Sequence, residues 1–152
     1  MKTVMFLCTG NYYRSRFAEI LFNHLMAVEY SHVTEGDRWL AESRGLKPDE
    51  RNPGPISVHT VAALDHFGMR DESSDRFPIA VMEFDFERSQ HVVAVKEAEH
   101  RSMIASDFPH WLEHVEFWHV DDLDCGPPAA TIEHLEREVR GLITRLLDGS
   151  GS

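Results

Sequence analysis

The opening stretch of the chain constrains the fold more than any other. Residues 4–7, Val-Met-Phe-Leu, form a short continuous apolar run, the pattern of a strand buried on both faces of a parallel sheet. From Phe17 the period changes. Phe17, Ile20, Leu21, Leu25 and Val28 recur at helical spacing, with Glu19 and Asn23 on the other side. A strand that passes directly into a helix aims the helix's unpaired N–H groups, and the positive end of its dipole, at the connecting loop. Such a loop binds anions. Here it reads Cys8-Thr9-Gly10-Asn11-Tyr12-Tyr13-Arg14-Ser15. Gly10 removes the steric bar to positive φ, and Asn11 tolerates the left-handed region better than most residues.

That loop carries its own chemistry. A helix N-terminus and a nearby arginine lower a cysteine pKa from about 8.5 toward roughly 3.5–7.5, so Cys8 sits where a thiolate is favoured. Arg14 offers a planar fork that holds two phosphate oxygens at once. The Ser15 hydroxyl can donate to the Cys8 sulfur. The reaction this implies is attack of Cys8 on phosphorus, a cysteinyl-phosphate intermediate, and its hydrolysis. No metal or organic cofactor is required.

The segment from Cys8 to Ser15, followed by Arg16-Phe17-Ala18-Glu19, resembles the low-molecular-weight protein tyrosine phosphatase family. That family carries C-x-G-N-x-C-R-S, then Ala-Glu, on a strand–loop–helix unit, and the related arsenate reductases share the loop. The resemblance implies a nucleophilic Cys8 and a phosphoryl group held by Arg14 and the amides of Thr9, Gly10, Asn11, Tyr12 and Tyr13. It makes Asn11 and Ser15 the residues that order the loop. Tyr12 matches a substrate-facing position, and Tyr13 replaces the family's second cysteine. The two tyrosines are therefore expected to form an aromatic wall.

Length and composition fit one globular domain. The chain has 152 residues, 42% hydrophobic and 27% charged, enough for one substantial core. The formal charge of −11 argues against nucleic acid as a partner, because phosphate backbones demand basic patches. No apolar run approaches the roughly 20 residues that span a bilayer, so no membrane partner is expected. No signal-peptide pattern precedes the first strand, which points to the cytoplasm. Cys8 and Cys125 stand too far apart in sequence to form a disulfide framework.

The rest of the chain alternates strands with helices. Residues 39–43 read as a second strand ended by Arg44-Gly45, residues 91–95 as a third and 115–120 as a fourth. Ser57 is the expected N-cap and Gly68 the C-cap of a helix using Val58, Val61, Ala62, Leu64 and Phe67. Short helices are expected over 78–86 and 97–106, and a long last helix capped by Thr131. Residues 30–38, 48–55 and 71–77 read as loops. The expected fold is a three-layer α/β/α domain with a four-stranded parallel sheet over residues 1–148, and 149–152 as a flexible tail. Ligands in such sheets bind at the carboxyl ends of strands. Cys8 and the residues after Val120 both lie there.

Expelling an alkoxide or phenolate needs a proton donor, and later a base for water. Asp121, Asp122 and Asp124 follow the fourth strand. The family takes its acid from an Asp-Pro pair at this point, which the chain lacks. Spacing from the strand end puts Asp122 first, with Leu123 in the place of the proline, Asp121 second and Asp124 third. The resulting expectation is a cysteine-dependent phosphomonoester hydrolase acting on phosphotyrosine proteins or small aryl or alkyl phosphoesters. The alternatives are an anion-binding module without turnover and, less favoured, an arsenate reductase, which needs a relay of additional cysteines.

Two further patterns lead elsewhere. The apolar strand ending at Asp122-Leu123-Asp124 superficially resembles the start of a haloacid dehalogenase-type site, but too little chain follows for its later motifs. His110 and His114, with His119 and Asp121 beyond, invite a metal reading. Pro109 and the strand pattern at 115–120 argue against one continuous helix, so no metal site is expected.

Overall fold

The computed structural model describes residues 1–69, 72–122 and 127–149. Four parallel strands, β1 (Lys2–Cys8), β2 (Trp39–Gly45), β3 (His91–Ala94) and β4 (Val115–Phe117), lie in the order β2-β1-β3-β4. Parallel neighbours require crossovers. The helices that provide them are α1 (Arg14–Val28), α2 (Val58–Phe67), α3 (Glu83–Arg88) and α4 (Glu97–Asp107), and α5 (Pro128–Leu147) follows the last strand.

The period-2 alternation of β1 feeds two cores. Val4, Phe6 and Cys8 face a layer built from α1, α2 and α5, with Phe17, Leu21, Leu64, Leu135, Val139 and Leu142 all buried. Met5 and Leu7 face the opposite layer, packing with Val81, Phe86, Val92, Ala94 and Ile104. Each such fully buried side chain contributes about 1.5–3 kcal/mol relative to exposure. The result is the expected single-domain three-layer α/β/α fold around a four-stranded parallel sheet. Among the described residues no helix is long and apolar enough to cross a membrane. Of the tail expected at 149–152, only Gly149 falls within the described residues.

The caps of α2 are as the sequence indicates. Ser57 accepts from His59 N, and Gly68 is left-handed at φ 66°. Other details differ. Val58 is exposed on α2, and Thr60 is buried beside Leu64. Residues 78–82 are extended rather than helical, because Ala80 pairs with Gly45 at the sheet edge, and α3 begins only at Glu83. β4 stops at Phe117. Beyond it Trp118 N still donates to Ala94 O and Val120 N to Val95 O, but β3 has ended and the chain turns into α4. Helix α5 starts at Pro128, so Thr131 is not its cap. Proline suits a first helical position, having a preset φ and no N–H to leave unpaired. Thr131 instead donates its hydroxyl to Asp121 O at 3.1 Å.

Candidate active site

Cys8 ends β1, in register with Gly45 on β2, and Arg14 opens α1. The five residues between them turn the chain through a tight loop. No side chain caps the first turn of α1 and no acidic residue stands in it, so the field of that helix end faces the loop uncompensated from within the helix. Asn11, at φ 50°, is the only non-glycine residue with positive φ among the described residues. Gly10 does not take that conformation, and a Cβ there would make only ordinary contacts. The left-handed step expected of either residue thus belongs to Asn11 alone. The tight approach falls at Gly45, where a Cβ would stand 2.9 Å from Pro48 Cγ, 3.0 Å from Asn11 Cβ and 3.0 Å from Thr9 O.

Asn11 is fully buried and fully engaged. Its Nδ2 donates to Ser15 Oγ at 3.0 Å and to Ser43 Oγ at 2.9 Å. Its Oδ1 accepts from Arg76 Nη1 and from Ile79 N, each at 3.0 Å. Ser43 passes its own proton to Glu19 Oε1 at 2.6 Å, and Arg76 Nη2 donates to the same oxygen at 2.9 Å. Glu19 is therefore buried under the loop, not on the solvent side of α1. Arg16 is also fully buried, donating to the carbonyls of Asn11, Pro55 and Arg76. Burial first, and the neighbouring Arg76 second, pull its pKa down to about 10.

Cys8 Sγ lies 2.9 Å from Ser15 Oγ. Because Ser15 Oγ already accepts from Asn11, its hydroxyl proton is available to the sulfur, the direction that supports a thiolate. Arg14 is 2% exposed. Its Nη1 donates to Val120 O at 3.0 Å, and its Nη2 donates to Glu99 Oε2 at 2.9 Å and Asp122 Oδ2 at 3.3 Å. Burial opposes the Arg14 charge, but Cys8, Glu99 and Asp122 together hold its proton more tightly than water does.

Glu99 was not legible as a site residue. Its carboxylate also accepts from the Thr9 hydroxyl, and His100 Nε2 lies 3.0 Å away. Lys96 N donates to His100 Nδ1 at 3.1 Å, so Nε2 carries the proton of this fully buried ring and turns it toward Glu99 and Thr9. Hydrogen bonds from His100, then from Thr9 and Arg14, hold the Glu99 carboxyl far below the usual range despite partial burial.

The candidate acids separate. Asp122 reaches Arg14, whereas Asp121 pairs with Lys96 Nζ at 2.9 Å. Asp124 and Cys125 lie outside the described residues. The two loop tyrosines also part company. Tyr12 is half-buried, and its hydroxyl donates to Pro53 O at 2.5 Å on the neighbouring loop. Tyr13 is not part of an aromatic wall. It is buried in the core, edge-on to His59 with ring centres 6.1 Å apart. Of the histidines weighed as metal ligands, His110 and His114 both pack against the Trp111 ring. His110 contacts Glu83, and His114 lies edge-on to Trp111.

No protein-family model matches the chain. A curated arsenate reductase of Bacillus cereus (strain 03BB102) is 25% identical over 144 residues, 95% of this chain and 92% of its own length. The crystal structure of a low molecular weight protein tyrosine phosphatase from T. tengcongensis is 25% identical, with TM-score 0.74 over 98% of this chain and 99% of its own. A YwlE arginine phosphatase, solved as a cysteine-to-serine mutant with a phosphorylated active-site serine, is 23% identical with TM-score 0.76, covering 95% of each chain. Over nearly its whole length the chain is similar to the low molecular weight protein tyrosine phosphatases and shares their fold.

Proposed function

We propose that the protein is a cysteine-dependent phosphomonoester hydrolase working through a cysteinyl phosphate. The observation that carries this reading is the pair of contacts around the loop. Ser15 reaches the Cys8 sulfur on one side, and the buried Arg14 reaches Asp122 on the other. A phosphoryl group entering the loop takes over donors of the Arg14 fork and the loop amides of residues 9–14, releasing Asp122 toward the leaving oxygen. The Cys8 thiolate then bonds to phosphorus as the P–O bond breaks, and Asp122 gives its proton to the departing oxygen. Water next attacks the cysteinyl phosphate, Asp122 takes that water's proton, and the thiolate leaves.

Phosphotyrosine on a protein is the preferred substrate class, with small aryl or alkyl phosphoesters behind it. The fold is shared with proteins named as tyrosine phosphatases and as an arginine phosphatase, which supports phosphoryl transfer and leaves the phosphorylated side chain to experiment. A reducing compartment such as the cytoplasm suits a working Cys8 thiolate. Arsenate reduction is a second reading favoured by the Bacillus cereus relative. It requires further thiols, and the chain has only Cys8 and Cys125.

The test is hydrolysis of an aryl phosphate at mildly acid pH, in chelator, by wild type, Cys8→Ser and Asp122→Ala. Loss of turnover in Cys8→Ser and a reduction of about 10²–10⁴ in Asp122→Ala are expected. Turnover surviving in Cys8→Ser would refute the cysteine mechanism. Vanadate binding without turnover in wild type would favour an anion-binding module, and arsenate-dependent oxidation of a thiol-reducing system would favour the reductase.

A further inference from the structure

Eight large apolar side chains are exposed among the described residues, and four of them fall within residues 77–84. Phe77 is 65% exposed, Ile79 40%, Met82 54% and Phe84 55%. This stretch is tied to the phosphate loop. Arg76 Nη1 and Ile79 N both donate to Asn11 Oδ1. Phe77 and Pro78, with Pro48, Asp49, Glu50, Asn52 and Gly54 across from them, line a cleft of about 280 Å³. Asn52 Nδ2 would stand 3.8 Å from a Cβ on Gly10, so the cleft opens beside the loop.

The backbone here is an open edge. Gly45 N donates to Ile79 O at 2.8 Å and Val81 N donates to Gly45 O at 2.9 Å. Parallel pairing of this kind turns the N–H and C=O of Ala80 the other way, off the sheet, and Ala80 is exposed. An exposed strand edge lined by large apolar side chains is a template for another extended chain.

We propose that residues 77–82 are a docking edge for a phosphorylated protein. Its occupant is the extended apolar segment that flanks the phosphorylated residue, added as a strand beside Ala80 with its side chains against Phe77 and Ile79. The proposal rests on the phosphatase reading and deepens it. The occupant follows from position. A phosphoryl group carried by a protein must reach Cys8, and the cleft lined by Phe77 reaches Gly10 of that loop through Asn52, so the flanking residues of such a substrate pass across it.

The experiment compares wild type with the exposed double variant Phe77→Ser/Ile79→Ser. Their substrates are an aryl phosphate and two short phosphotyrosyl peptides, one with Val and Leu flanks and one with Ser and Gly flanks. Wild type is expected to favour the apolar peptide by about tenfold in kcat/KM. The double variant loses that preference and keeps aryl phosphate turnover. A preference that survives the double substitution overturns the proposal, and so does an equal loss on the aryl phosphate, since both assign the strip no role in docking.

Sedimentation is run alongside, with and without phosphatidylcholine vesicles. A dimer dispersed by the substitutions, or a vesicle-bound protein released by them, gives the edge another occupant and overturns the proposal. If wild type hydrolyses none of the substrates, the phosphatase reading fails, and fluorescence anisotropy of the labelled peptides decides the docking edge separately. Tighter binding of the apolar peptide, lost in the double variant, upholds it. Equal binding of the two peptides overturns it.

Discussion

Glu99 Oε2 accepts a hydrogen bond from Arg14 Nη2 at 2.9 Å and another from the Thr9 hydroxyl. One carboxylate of α4 therefore holds the start of the loop after β1 and the guanidinium at its end. It also sets a negative charge against the cation that, in the proposed mechanism, engages the phosphoryl group.

Glu99→Gln keeps an acceptor for Arg14 and removes that charge. We expect inorganic phosphate and vanadate to inhibit aryl phosphate hydrolysis several-fold more strongly, because opposite charges at this separation interact by about 1–4 kcal/mol in partly exposed sites. Turnover should fall, because Arg14 and Thr9 lose their charged anchor. Inhibition constants unchanged from wild type would show that Glu99 does not modulate the charge of Arg14.

Asn11 joins two separable effects, its left-handed backbone and its four hydrogen bonds. Asn11→Gly keeps the conformation accessible and removes the bonds, whereas Asn11→Ala adds strain of about 1–2 kcal/mol. Both remove the four hydrogen bonds to Ser15, Ser43, Arg76 and Ile79 N, at about 0.5–1.5 kcal/mol for each bond. Chemical denaturation should rank wild type above Asn11→Gly and Asn11→Gly above Asn11→Ala. Equal stability of the two variants would show that the loop relaxes away from φ 50°.

Gly45→Ala places a methyl group against Pro48, Asn11 and Thr9 O, two of them loop residues. Overpacking of this kind costs about 1–3 kcal/mol. The loop should be displaced along with the loss of stability, so vanadate affinity and melting temperature are expected to fall together. A lower melting temperature with unaltered vanadate affinity would mean that Pro48 alone gives way.

At the far end of the sheet Glu116 accepts two hydrogen bonds from Arg145, at 2.9 and 2.8 Å, and one from Trp118 Nε1, with His91 Nε2 3.0 Å away. Partial burial works against its charge, but hydrogen bonds from Arg145, His91 and Trp118 hold its carboxyl well below the usual range. Its folded pKa is thus depressed below the unfolded value of about 4.3. The stabilisation is fully present above that value and is lost as pH falls through and below it. Melting temperature in wild type should drop below about pH 4.3, and Glu116→Gln should flatten that drop. Parallel curves for the two proteins would show that other carboxylates dominate acid unfolding.

The fold and the loop were legible because local patterns specify them. An apolar run ending at Cys8 and a helical period beginning near Arg14 fix a strand, a turn and a helix through neighbouring residues alone. The strands at Trp39, His91 and Val115 follow from the same periodicity. So do Ser57 and Gly68, whose capping depends on residues within one turn. Boundaries went astray where a distant partner outweighed the local preference. Residues 78–82 are extended because Gly45 pairs with Ala80, and Glu19 is buried because Ser43 and Arg76 satisfy it.

The sequence by itself determined the chemistry-bearing segment, since Cys8, Arg14 and Ser15 lie within one loop and need no long-range contact to meet. Only the tertiary structure decided what surrounds them. Glu99 stands 85 residues beyond Arg14 and Asp122 stands 108 beyond it, so no periodicity links them. They meet because parallel pairing of β1 with β3 and of β3 with β4 brings the strand ends together, and the segments that follow carry both carboxylates to one guanidinium. The same sheet turned Tyr13 inward and left Phe77 and Ile79 outside. Which face a side chain takes is set by what packs against it, and that information is not local.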